Sequence, residues 1–172
     1  MPPAVIIRDW KSSDDVAALT ELLHQAYGQL ARAGFRYLAT HQDEAMTRKR
    51  LESGYPLVAT QGEQIVGTVT LYPPDEDSPC ELYRQAGVFC FGQFGVRPDL
   101  QRGGIGRALV AHLESKAREL GGTHLALDTA EGATHLVQWY ERLGFRLVQH
   151  VQWDVTNYRS VVMSKPLRQP IS

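Results

Sequence analysis

Cysteine is almost missing from this chain. Cys80 and Cys90 are its only two. They show no Cys-x-x-Cys spacing and have no histidine cluster beside them, which argues against the common zinc and redox motifs. Two reduced thiols in a cytoplasmic protein, with no metal, are the expectation. An excess of charge is missing too. Lys plus Arg number 18 against 19 Asp plus Glu, so there is no electrostatic footprint for nucleic acid or an anionic membrane as partner. No apolar run is long enough to span a bilayer, and the one within Met1–Arg8 is too short for a signal peptide. Repeats and low-complexity tracts are absent. No Gly-Lys pair occurs, which removes the P-loop. What is there is a chain of 172 residues with 43% hydrophobic content. That is enough for one domain with a sizeable core. The domain is expected to cover residues 1–172, with an ordered core over about 4–167 and a tail that frays from Pro166.

Periodicity divides the chain into elements. Ala4–Ile7 reads as a first strand. Ser12-x-x-Asp15 has the form of a capping box. Val16, Leu19, Leu23, Ala26, Tyr27 and Leu30 then keep helical spacing until Gly34. Thr40-x-x-Asp43 opens a second helix, which Gly54 ends. Tyr55–Thr60 and Gln64–Tyr72 are strands joined at Gln61-Gly62-Glu63. Pro73–Pro79 is a polar loop within the domain. Val88–Val96 is apolar on both alternate faces, as suits a strand buried on both sides. Ile105, Leu109, Leu113, Ala117 and Leu120 share one helical stripe. Thr123–Thr129 is a strand, and Glu131–Leu143 a helix closed by Gly144. Phe145–Trp153 and Tyr158–Lys165 pair as a hairpin through Thr156-Asn157. The order βααβββαβαββ predicts an α/β (α+β) domain with one mixed central sheet flanked by helices.

The most informative stretch is Gln93-Phe-Gly-Val-Arg-Pro-Asp-Leu-Gln-Arg-Gly-Gly-Ile-Gly106. It is the end of a buried strand, a glycine-rich turn and the start of a helix. The first turn of a helix has N–H groups without intrahelical partners, and the macrodipole adds positive charge there. Glycines let a phosphate approach the backbone, and Arg102 and Arg107 add full charges. A plain strand-to-helix connection, in which glycine only makes the turn, fits equally well. A dinucleotide fingerprint does not fit, because Leu109 stands where its third glycine belongs.

Gln101-x-x-Gly104-x-Gly106 resembles the Q/R-x-x-G-x-G/A acetyl-CoA signature of the GNAT superfamily of N-acetyltransferases. Trp139-Tyr-Glu-Arg-Leu-Gly-Phe145 resembles that family's F-Y-x-x-x-G-F block, and Tyr158–Leu167 is similar to the final strand of many members. The two blocks stand in the family's order with one strand between them. The resemblance covers essentially the whole chain. It implies acetyl-CoA as co-substrate and a primary amine, on a small molecule or a peptide, as acceptor. It leaves a homodimer open. Carried over to this sequence, it makes Phe94, Gly95 and Val96 the strand end that meets the pantetheine arm. Gln101, Arg102, Gly103, Gly104, Ile105, Gly106 and Arg107 become the pyrophosphate loop. Tyr140 becomes the catalytic acid that protonates the leaving thiolate.

The sequence departs from the family twice. Ala133 stands where an asparagine is common. Gln93 stands in the central strand where many members have a glutamate base, and an amide cannot accept a proton at useful pH. No base is assigned, so the amine is expected to lose its proton to solvent through water held by Gln93. Asp128 faces the expected cleft or caps a helix. Glu131 and His135, four apart, are expected to pair on a helix surface. Phe35, Tyr37 and Tyr72 line an acceptor pocket or simply pack, and Trp153 and Cys90 belong to the structure. The acidic loop Asp75-Glu76-Asp77 attracts a cation or is merely solvated. The competing functions are an N-acetyltransferase, a non-catalytic acyl-CoA-binding sensor, and an interaction module on the same fold.

Overall fold

The structure, a computed structural model, describes residues 3–168. Its elements are β1 (Val5–Asp9), α1 (Val16–Ala26), α2 (Gly28–Arg32), α3 (Leu38–His41), α4 (Glu44–Glu52), β2 (Tyr55–Gln61) and β3 (Gln64–Tyr72). They continue with β4 (Val88–Val96), α5 (Ile105–Glu119), β5 (His124–Ala130), α6 (Thr134–Arg142), β6 (Arg146–Val151) and β7 (Ser160–Pro166). Short 3-10 turns occupy Leu82–Arg84 and Pro98–Leu100.

The strands make one seven-stranded sheet in the order β1-β2-β3-β4-β5-β7-β6. Alternation sorts side chains to its two faces. Leu57, Ala59, Val69 and Leu71 pack with Ile105, Leu109, Leu113 and Ala117 of α5 in the main core. Val58 points the other way, onto Val16, Leu19, Leu22 and Leu51 of α1 and α4. The expected mixed sheet between helices is therefore present.

The boundaries differ where capping decides them. Asp15, not Ser12, caps α1, accepting from Ala18 N at 3.1 Å. The expected long first helix ends at Tyr27, whose φ −93° and ψ 0° leave the helical region, and α2 follows. Asp43 caps α4 through Met46 N at 2.8 Å, and Thr40 sits within the short α3. Helix α6 begins at Thr134 rather than Glu131. At the other end, Pro166 still pairs with His124 and Leu167 N bonds Thr123 O at 2.8 Å. Fraying from Pro166 is therefore not seen, and the rest of the expected tail, residues 169–172, lies outside the described residues.

Two features of β4 position the site. It pairs with β5 in parallel over Val88, Phe89 and Cys90 only, and then the two strands part. On its other side the register jumps: Thr68 faces Gly95, but Thr70 faces Gly92. Three steps along β4 thus match two along β3, which is a β-bulge. Gln93 carries it, with φ 49° in the left-handed region that few non-glycine residues occupy. Past Cys90 the edge of β4 has no strand partner, so backbone groups there open onto the gap.

Candidate active site

The gap between β4 and β5 is a cleft of about 890 Å³, and its wall includes residues from the glycine turn, from α1, α4 and α6, and from the β6–β7 loop. At one end lies the turn before α5. Gly104 is the helix N-cap at φ 91°, and no side chain caps the helix. The first i→i−4 bond runs from Ala108 N to Gly104 O at 3.0 Å, so the N–H groups of Ile105, Gly106 and Arg107 precede it. A Cβ at Gly104 would meet nothing within 4 Å, so the turn is open there. Arg102, Arg107 and Arg142 line this end, and none joins an ion pair among the described residues. The arrangement suits a polyanion such as a pyrophosphate.

The residues expected to bind the co-substrate divide here. Phe94, Gly95, Val96, Gln101, Arg102, Gly104, Gly106 and Arg107 line the cleft, whereas Gly103 and Ile105 do not. Ile105 is buried in the main core and anchors the helix start. Gln101 turns back, donating from Nε2 to Val96 O at 3.1 Å, and so ties the turn to the strand end. Gly106 allows close packing, since a Cβ there would stand 3.4 Å from the Phe94 ring and 3.6 Å from Trp139.

Tyr140 lines the cleft. Its ring packs edge-on against Trp139, Phe91 and Phe145, with centroids 5.1, 6.1 and 5.9 Å away. Burial, with Tyr27, Tyr37 and Asp128 nearby, pushes its pKa well up, so the hydroxyl keeps its proton.

The same wall holds the groups least visible in the sequence. Asp128 is no helix cap. Its carboxylate accepts from Tyr83 Oη at 2.7 Å and Trp153 Nε1 at 2.9 Å. Burial raises its pKa, while those two donors and the Arg50 guanidinium pull the other way. Trp153, expected to be structural, is thus a donor that orients Asp128. Tyr37 lines the cleft, accepts from Ala130 N at 3.0 Å and shares a hydrogen bond with Thr129 Oγ1 at 2.7 Å, pinning the end of β5. Phe35 packs on Gly132, where a Cβ would come within 2.9 Å of its ring.

Other expectations are corrected. Glu131 precedes α6 and pairs with Arg159 at 2.8 and 2.9 Å, not with His135, because the helix starts too late to set them one turn apart. His135 lines the cleft on its own. Ala133 is buried against Leu30 and Ala130, and no side chain caps α6. The acidic loop does not reach the cleft wall. Cys80 is fully buried in an apolar cluster, and no group of metal-ligating side chains occurs among the described residues. Nor is any described helix long and apolar enough to cross a membrane.

Comparison with known proteins agrees with this geometry. The model of the acetyltransferase (GNAT) family matches residues 16–145. S-(2-succino)cysteine N-acetyltransferase of Bacillus subtilis (strain 168) is 29% identical over 160 residues, covering 91% of this chain and 93% of that protein. The ribosomal-protein-S18-alanine N-acetyltransferase of Escherichia coli superposes with TM-score 0.72 at 17% identity, over 97% of this chain and 96% of the other. A GNAT family acetyltransferase of Elizabethkingia anophelis with acetyl-CoA bound gives 0.67 at 17% identity, over 95% and 98%. The family match takes in the glycine turn and the Tyr140 block alike, so the chain belongs to the GNAT family of acetyltransferases and is an acyltransferase.

Proposed function

We propose that this protein transfers the acetyl group of acetyl-CoA to a primary amine within a ternary complex. The observation that carries the reading is one continuous cleft. Its wall holds an uncapped, arginine-rimmed helix start, a buried carboxylate and a protonated tyrosine. The acetyl-CoA bound to the Elizabethkingia protein and the amine named for the Bacillus relative support it.

In the reaction the amine nitrogen bonds to the thioester carbonyl carbon, the C–S bond breaks, the amine gives up a proton and the thiolate takes one. The turn from Gln101 to Arg107 holds the pyrophosphate through the first-turn N–H groups, Arg102 and Arg107. The free edge of β4 at Phe94, Gly95 and Val96 offers backbone donors to the pantetheine arm and the developing oxyanion. Asp128 binds the ammonium and accepts its proton. An alkylamine has a pKa of about 10.4, so a base that holds and discharges it is of use. Gln93 itself cannot accept the proton, and its amide oxygen accepts from Gln42 Nε2 at 2.8 Å. Tyr140, kept protonated by burial, gives its proton to the thiolate.

Two outcomes test this reading. CoA at a hundredfold excess over Kd is expected to stabilise the protein by about 2.7 kcal/mol. For a domain of this size that is roughly 5–10 °C in Tm. Gly104→Val places a branched residue at φ 91° in the open turn and is expected to abolish the shift. An equal shift in the variant removes the turn from the site. Trp153→Phe keeps the stacking on Tyr83 and deletes one donor to Asp128. That hydrogen bond lowers the Asp128 pKa, so losing it raises the pKa. The rising limb of kcat/KM is therefore expected at higher pH in the variant, and an unmoved limb assigns the limb to another group.

A further inference from the structure

Side chains from distant parts of the chain meet at the acceptor end and fix one another's orientation. Arg50 Nη1 donates to Gln42 Oε1 at 2.7 Å. A guanidinium has donors and no acceptor, so it dictates which end of the Gln42 amide it faces. Gln42 Nε2 is thereby turned to Gln93 Oε1 at 2.8 Å and Thr47 Oγ1 at 2.8 Å. His24 Nε2 holds the same residue by its main-chain oxygen at 2.7 Å. The Gln93 amide is then fixed in turn. Its oxygen is used, and its Nε2, on a residue 1% exposed, has no partner. Tyr72, one of the aromatics considered for the acceptor pocket, is not part of the cleft wall and packs beside the guanidinium. Gly92 makes the approach feasible, since a Cβ there would stand 3.3 Å from Arg50 Nη2.

The relay leaves this corner rich in donors. Gln93 offers its free N–H, and Arg50 retains N–H groups beyond its bond to a neutral amide. Arg50 belongs to no ion pair among the described residues. A half-buried cation beside an unpartnered donor, Gln93 Nε2, is the complement of an anion. Across the same cleft stands Asp128, near enough for Arg50 to lower its pKa.

We propose that this corner reads a carboxylate on the acceptor, so that the substrate class is an amino acid or a related amino-carboxylate. Its ammonium faces Asp128 and its carboxylate faces Arg50 and Gln93. The inference rests on the acetyl-transfer reading above and narrows its acceptor. A polyamine spanning the same distance sets an ammonium against a guanidinium, and this geometry rejects it.

The test is thiol release from acetyl-CoA with the common L-amino acids and S-(2-succino)cysteine, each beside its α-carboxamide, and with spermidine. At least one acid is expected to turn over, with kcat/KM at least about 10-fold above that of its carboxamide. Arg50→Gln is expected to raise KM for that acid by a similar factor and leave KM for acetyl-CoA in place. Above the rising pH limb of each enzyme, where the Asp128 pKa no longer matters, it should cost the carboxamide little, and Arg50→Lys should recover part of the loss. An unchanged acetyl-CoA KM also reports an intact fold. Turnover of spermidine or the carboxamides at rates matching the acids overturns the carboxylate site and keeps acetyl transfer. An Arg50→Gln loss equal for acid and carboxamide does the same. Absence of thiol release with every acceptor, while CoA still binds, overturns both.

Discussion

Asp128→Asn is expected to lower kcat/KM for the acceptor by about 10³-fold, within the range that a positioned base contributes. Two effects combine. The amide cannot accept the proton that the amine must lose. It also has one acceptor oxygen for two donors, Tyr83 Oη and Trp153 Nε1, which now sit 2.7 and 2.9 Å from the two carboxylate oxygens. One donor is left facing an amide N–H₂. The pH profile separates these effects. On the proposed mechanism the active form is the carboxylate, so the rate is expected to climb as pH rises through the Asp128 pKa, which burial raises above the usual carboxylate value. That limb is expected at the same pH whatever the acceptor, and it should vanish in Asp128→Asn. A limb that tracks the pKa of each acceptor in the native enzyme instead makes solvent the base and returns Asp128 to a structural role.

Tyr140→Phe is expected to reduce kcat on the order of 10²-fold with little change in KM for acetyl-CoA. The substitution keeps the ring that packs on Trp139, Phe91 and Phe145 and deletes only the hydroxyl. A leaving group that needs less help should suffer less. Acetyl donors with thiols of lower pKa are therefore expected to narrow the gap between variant and native enzyme. An unchanged kcat with acetyl-CoA would return Tyr140 to the core.

The turn and the tyrosine were legible in the sequence because each is a local pattern. Val88–Val96 and Ile105–Glu119 follow from apolar periodicity and glycine punctuation over a few residues, and both appear at those places. Asp128 gave no such sign. Its partners are 45 and 25 residues away along the chain. Gln42 and Gln93 are separated by 51. Arg50 looked like any charged residue on a polar helix, and only the sheet brings Gly92 beneath it. Glu131 went wrong for a related reason. A helix boundary was placed three residues early, and a surface pair was inferred from a helical turn that does not form there. Periodicity identifies elements, but which polar side chains they hold together depends on contacts between elements.

The bulge at Gln93 has a consequence for how this cleft can be gained or lost. Gly92 and Gly95 are three apart yet face the same side of the sheet, one towards Arg50 and Tyr72 and the other towards Ala26. In regular strand alternation, positions three apart face opposite sides. Gln93 is thus one residue more than the alternation requires, and removing it leaves its neighbours on the sides they already occupy. An insertion or deletion of a single residue, rather than a substitution, is the step that separates a plain strand from this one. The same inserted residue bends the strand and supplies the unpartnered amide donor to the cleft. Backbone shape and the proposed acceptor recognition therefore share one position, and a lineage that loses that residue would lose both together.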